Sequence, residues 1–140
     1  TVQAQIFDLL NDLKRQTGTA IILITHDMGA VAEMAERMIV MYAGRGAEQG
    51  PVDQIIDHPR HPYTKGLISC VPHIVADLTD ERNDLTEVAG IVPPLREFGQ
   101  DRCLFASRCS MVSQQCLDKR PPEMKFEAGQ SSACWHAEAV

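Results

Sequence analysis

Thr19-Ala-Ile-Ile-Leu-Ile-Thr25, with His26 and Asp27 directly behind it, is the stretch on which the fold turns. Its four consecutive large aliphatic residues, three of them β-branched, lie between Gly18 and a polar pair, and they read as a short strand. Apolar on both faces, such a strand belongs inside a parallel sheet with helices on either side. Ligands of open α/β sheets gather beyond the carboxyl ends of the strands, which is where His26 would stand. Taken alone, a histidine there is most simply a packing residue; its neighbours decide otherwise.

Upstream, Val2, Ile6, Leu9, Leu10 and Leu13 form one apolar stripe of a helix, with Thr1 as its N-cap and Gly18 as its stop. Downstream, Met28, Val31, Ala32, Met34 and Ala35 suit a second short helix capped by Asp27. Met38-Ile-Val-Met-Tyr42 reads as another buried strand, Ala43-Gly-Arg-Gly46 as a turn and Ala47-Glu-Gln49 as a short returning strand. Gly50-Pro51 breaks that strand and opens a helix with Val52, Ile55 and Ile56 inward. Pro62 opens another, through Tyr63, Leu67, Ile68 and Val71. The fold class is α/β, with residues 1–72 as its core. A polar connection follows over 73–98, including weak strand character at Leu85 to Val92. Residues 99–140 hold four of the five cysteines and few large aliphatics, so this segment needs staples or metal to hold a shape.

The totals exclude several classes. Thirteen Lys and Arg against 19 Asp and Glu leave a formal charge of −6 with no basic stripe, which argues against nucleic acid as a partner. No apolar run is long enough to span a bilayer, and the N-terminus opens into a helical pattern rather than a signal peptide. No glycine-rich phosphate loop, dinucleotide fingerprint or G-x-S-x-G elbow occurs.

Two constellations could carry chemistry. His58 and His61 flank prolines; two ligands are too few for zinc, and a helix-start signal with packing histidines is the simpler reading. Cys103, Cys109, Cys116 and Cys134 are the second. Zinc sites usually include one tight C-x2–4-C pair, absent here, whereas looser spacings are compatible with an iron–sulfur cluster; disulfides stay open as well. The four are expected to converge on one site beside Trp135, with Cys70 outside it as a small buried hydrophobe. A thiol enzyme using Cys109 or Cys116 with His136 is a further, weaker option.

The runs Thr1-Val-Gln-Ala-Gln-Ile6, Ile22-Leu-Ile-Thr-His-Asp27 and Met41-Tyr-Ala-Gly44 resemble the C-terminal part of an ABC-transporter ATPase subunit. Glu48-Gln-Gly-Pro51 and His58-Pro-Arg-His-Pro-Tyr-Thr64 narrow the resemblance to dipeptide/oligopeptide importers, a group that includes nickel importers. The cysteine segment, with Pro121-Pro122 and Cys134-Trp-His136, resembles that group's C-terminal extension. The resemblance implies a P-loop NTPase core of which residues 1–72 are the last part, a connection at 73–98 and the extension at 99–140. It implies ATP and Mg²⁺ in the whole protein, His26 as the switch histidine at the γ-phosphate, and a [4Fe–4S] cluster on the four cysteines, with zinc as the lesser choice. It also implies a second ATPase subunit and transmembrane permeases as partners, on the cytoplasmic side of the inner membrane. Because the phosphate loop and magnesium ligands of the family lie upstream of Thr1, the chain by itself is expected to be inactive and, with its strand edge unpaired, to self-associate. One departure is local: Gly46-Ala47 stands where the family has a β-branched pair. The rival reading is a self-contained metal- or Fe–S-binding interaction module.

Overall fold

The structure is a computed structural model that describes residues 2–70, 88, 90–94, 99 and 101–140. The expectations for Thr1, Val71, the 77–84 connection and Leu85 to 87 lie outside the described residues; residues 88 and 90–94 carry no strand. The chain divides into two compact units, residues 1–36 and 37–140.

The first unit holds two helices, α1 (Val2–Thr17) and α2 (Met28–Met34). Gly18 stops α1 as the sequence predicts: it takes a φ of +68°, a left-handed conformation open to glycine, and its N–H donates to the Lys14 carbonyl at 3.0 Å. Asp27 caps α2 as predicted, its carboxylate accepting from the Gly29 and Ala30 amides at 2.9 and 3.2 Å. Those bonds, with one donated by Gln3, hold the Asp27 carboxyl below its usual range.

Two expectations fail in this unit. Residues 19–25 form no strand, and Ile22 and Ile24 are 89% and 93% exposed. A strand exists only through ladder bonds to a neighbour, and no strand of the described residues pairs with this one. The apolar stripe of α1 is likewise uncovered at Val2, Ile6, Leu9 and Leu13; Phe7 is the residue that α1 buries. Periodicity registers a demand for a partner surface, and residues 1–36 do not supply it.

The sheet lies in the second unit, and it is antiparallel rather than parallel. Its order is β1-β2-β4-β3, from β1 (Arg37–Tyr42), β2 (Arg45–Pro51), β3 (Met124–Lys125) and β4 (Ser131–Ser132). β1 alternates exposed and buried, with Met38, Val40 and Tyr42 inward. Ala43 and Gly44 make the two-residue turn into β2, both with positive φ, as the twist of a tight hairpin requires. The register then slips: Met41 faces Gly46 while Val40 faces Glu48, leaving Ala47 as the extra residue of a bulge. The bulge turns two successive side chains, Ala47 and Glu48, into the interior. α3 (Val52–Asp57) and α4 (Pro62–Ser69) follow as predicted, burying Val52 and Ile55 and beginning at Pro62. α5 (Gln114–Asp118) is a short helix in the Cys-rich segment.

β4 crosses back to pair with β2, Glu48 opposite Ser132 and Gln49 opposite Ser131. The cysteine segment is therefore stitched to the 37–70 hairpin and helices by a shared sheet.

Candidate functional site

The Glu48 carboxylate is 2% exposed and sits at the junction of three segments. Its Oε1 accepts from the Arg60 amide at 2.7 Å and the Gln130 Nε2 at 2.8 Å, and its Oε2 accepts from the His61 amide at 3.1 Å. Burial pushes its pKa up, against the pull of these donors. The fully buried Thr64 hydroxyl is near enough to favour the charged form, yet it makes no hydrogen bond of sound geometry. Gln130 also donates to the His58 carbonyl at 2.9 Å, and the Ser132 hydroxyl to the Arg60 carbonyl at 3.0 Å. The first part of the His-Pro-Arg-His-Pro-Tyr-Thr string, residues 58–61, is thus a loop whose backbone is bonded by Glu48 of β2 and by Gln130 and Ser132 at β4.

His61 ends that loop as the N-cap of α4, its Nδ1 accepting from the Tyr63 amide at 3.1 Å. His61 is the packing histidine the sequence predicts, whereas His58 is exposed. Burial pushes the His61 pKa down to about 4, so the ring is neutral and carries its proton on Nε2. The unfolded chain, with a histidine pKa near 6.5, binds more protons between those values. Stability from this residue is full above pH 6.5 and is lost as pH falls toward 4, to a limit of roughly 3 kcal/mol. Urea titrations at a series of pH values are expected to show this slope in the native chain and a flatter one in His61→Gln. Equal slopes would refute the assignment.

An aromatic wall connects the loop to the cysteines. Phe105 packs edge-on against Tyr42 at 5.2 Å between centroids, and against Tyr63 and His61 at 5.4 and 5.8 Å. From Phe105 a single helical turn, Ala106–Arg108, leads to Cys109, and the Cys103 amide donates to the Cys116 carbonyl at 2.9 Å. Cys116 lies in α5, and Cys134 follows β4, held by the Ala133 amide donating to the Ala47 carbonyl at 2.8 Å.

All five cysteines are free thiols. The Met111 amide donates to Cys109 Sγ at 3.4 Å and the His136 amide to Cys134 Sγ at 3.3 Å. Ser113 Oγ bridges Cys116 Sγ at 3.4 Å and His136 Nε2 at 3.0 Å. The four thiols lie within electrostatic reach of one another, since Cys134 feels Cys109, Cys103 and Cys116. Burial raises the Cys103 and Cys109 thiols and pushes Cys134 up to about 11, with mutual repulsion adding to it. A nucleophilic thiol needs the opposite shift, which disfavours Cys109 as the nucleophile of a thiol enzyme. Cys70 is half-buried at the end of α4. The donor chemistry suits a thiolate-bound metal, but the side chains as placed do not form a ligand set. Among the described residues no group of three or more His, Cys, Asp or Glu is disposed to hold a metal ion.

His26 is exposed in the first unit, directly before the Asp27 cap of α2, and the strand at whose carboxyl end the sequence reading sets it is not formed.

A model of the C-terminal region of oligopeptide/dipeptide transporters matches residues 47–116, from the bulge residue to the third cysteine. The chain belongs to this family. The matched span takes in Glu48, His61 and Cys103, Cys109 and Cys116, and leaves His26 and Cys134 outside. A probable peptide ABC transporter ATP-binding protein of Sinorhizobium fredii is 43% identical over 142 residues, covering 100% of this chain and 41% of that relative. Putative peptide import ATP-binding proteins of Brucella abortus and Brucella ovis are 44% and 39% identical, each over 96% of this chain. The chain spans about two fifths of the length of these relatives. Among the described residues no helix is long and apolar enough to cross a membrane.

Proposed function

We propose that this chain is the C-terminal part of an ATP-hydrolysing subunit that powers peptide import through an ABC transporter. The observation that carries the reading is similarity across the whole chain, at 43 to 44% identity, to peptide ABC transporter ATP-binding proteins. That extent favours a part of an ATPase over a self-contained metal-binding module. Residues 1–72 would close the ATPase domain, 73–98 connect, and 99–140 form the Cys-rich extension. In the whole protein, paired with a second ATPase subunit beneath transmembrane permeases on the cytoplasmic face, the exposed 19–25 run and the α1 stripe would find their covering surfaces.

His26 has the role of contacting the γ-phosphate of ATP held, with Mg²⁺, by parts of the protein outside this chain. Phosphoryl transfer depends on positioning and on stabilising charge over the phosphoryl oxygens, so one well-aimed donor matters greatly. The four cysteines would share one iron–sulfur cluster, each thiolate turning from its present rotamer to meet it.

In the intact subunit, His26→Ala is expected to lower peptide-stimulated ATP hydrolysis by roughly 100- to 1,000-fold, as loss of comparable donors does. The 140-residue chain by itself is expected to show none. Hydrolysis by His26→Ala within a few-fold of the native rate would remove the histidine from the reaction, and hydrolysis by the chain alone would remove the dependence on the rest of the subunit.

A further inference from the structure

His26 stands between two anchored neighbours. The Asp27 amide donates to the Thr25 hydroxyl oxygen at 3.0 Å, which closes the backbone on either side of His26 into a turn. Asp27 Oδ1 is taken up by the Gly29 and Ala30 amides of α2. Its other oxygen, Oδ2, accepts from the side-chain amide of Gln3 at 3.3 Å, and Gln3 lies 24 residues earlier, on α1. Two further bonds join the same pair of segments. Asn11 Nδ2 donates to Met34 Sδ at 3.4 Å and Lys14 pairs with Glu36, at sequence separations of 23 and 22. Separations so nearly constant mean that residues 27–36 run alongside α1 in the same direction. Gln3, Phe7, Asn11 and Lys14 fall at i, i+4, i+8 and i+11, on one face of the helix, and Phe7 is the residue that α1 buries. That face lies about a third of a turn from the exposed stripe of Val2, Ile6, Leu9 and Leu13.

We propose that Gln3 is a positioning residue for His26, an inference that rests on the γ-phosphate role given to the histidine above. Gln3 touches neither nucleotide nor imidazole; it acts through Asp27. The two amide bonds to Oδ1 fix the carboxylate to α2, but they do not fix α2 to α1. Asn11 and Lys14 make that link at the far end of α2, beside Met34 and Glu36. Gln3 makes it at the near end, one residue from His26. Without Gln3 the seven-residue helix is tethered to α1 only at its far end, and any swing of α2 about those tethers is largest at the turn that carries the histidine. A solvent-exposed hydrogen bond contributes little to stability, so its loss should leave the fold standing. Phosphoryl transfer is less forgiving, because it depends on the aim of each donor, and a displacement of about 1 Å in a positioned group can cost up to 100-fold in rate.

The test is steady-state ATP hydrolysis by the intact subunit assembled with its transmembrane partners, with the thermal midpoint of each variant measured alongside. Gln3→Ala is expected to lower kcat roughly tenfold while KM for ATP stays within about twofold of native and the midpoint within about 2 °C. Gln3→Lys, which restores a donor long enough to reach Asp27, is expected to recover most of the lost kcat. Asn11→Ala, on the same face but at the far end, should leave kcat within about twofold. In a His26→Ala background, Gln3→Ala should have no further effect, since the histidine it aims is gone. A native kcat in Gln3→Ala, beside a deep loss in His26→Ala, would overturn the role of Gln3 and leave that of His26 standing. A near-native rate in His26→Ala would instead overturn the reading beneath it. Gln3→Ala effects of equal size in the native and His26→Ala backgrounds would show that Gln3 acts by another route, and a fall in kcat that comes with a lowered midpoint and no recovery in Gln3→Lys would make it a structural residue; either result refutes the proposal.

Discussion

Replacing Cys134 with serine is expected to abolish iron loading of the chain, whereas Cys70→Ser leaves it intact. After anaerobic reconstitution with ferrous iron and sulfide, the native chain should show visible charge-transfer absorption and bound iron. Cys103→Ser, Cys109→Ser and Cys116→Ser should each lose most of both. The effect is large because a structural metal contributes on the order of 10 kcal/mol of folding free energy, and residues 99–140 have few aliphatic side chains to replace it. Under the proposed cluster, Cys134 would be the demanding ligand. Burial pushes its thiol up to about 11, so binding at pH 7 would first have to remove a proton. Loading should therefore strengthen with rising pH. A Cys134→Ser chain that holds as much iron as the native one would show that the fourth thiol is not a ligand, and zinc in place of iron in native protein would decide for the alternative metal.

Glu48→Ala should destabilise the fold by about 4 kcal/mol, read as a lower urea midpoint with an unchanged transition slope. Truncation strands the Arg60 and His61 amides and the Gln130 side-chain amide in the interior, and each buried donor without an acceptor costs about 1 to 3 kcal/mol. Relaxation and entry of water recover part of the sum. Glu48→Gln is a sharper probe. It keeps the shape but presents an NH₂ to one of the donor sets, and it should still cost about 2 kcal/mol. Glu123 makes an instructive comparison, since it accepts two hydrogen bonds, from Gln49 and Ser131, against three for Glu48, but on the surface. Glu123→Ala should change stability by less than about 1 kcal/mol. A loss below 1 kcal/mol for Glu48→Ala would mean that the buried donors find other acceptors.

The hairpin, the two following helices and the caps were legible because their signals are local. Gly18 and Asp27 end and begin helices through their own backbone and side-chain chemistry, and Pro51 and Pro62 fix helix starts through ring geometry. The strand at 19–25 was not legible in the same sense. Its aliphatic run states a need for burial, and residues 1–36 leave that need unmet. The returning strand was read at Ala47-Glu-Gln49 inside its true span, Arg45–Pro51, with its ends given to a turn and a break that do not exist there, and nothing in three residues announces a bulge. Simple alternation would put Ala47 and Glu48 on opposite faces, so the buried carboxylate could not be foreseen. The four cysteines were legible as a group by clustering, and the fold brings their thiols into mutual electrostatic reach, while their side-chain orientations lie beyond what spacing can specify.

The pairing of β4 with β2 sets an order of events during synthesis. Gln130 lies 82 residues after Glu48, so at about 5 to 20 residues per second β2 waits roughly 4 to 16 seconds for its neighbour. Closing a loop of that length costs about 4 kcal/mol in chain entropy before any bond repays it. The hairpin and the Arg60–His61 loop can form early, since their contacts are short in sequence, but the outer edge of β2 stays open until residues 131–132 emerge. For that interval the nascent protein presents an unpaired ladder edge to its surroundings, and β4 is the latch that removes it.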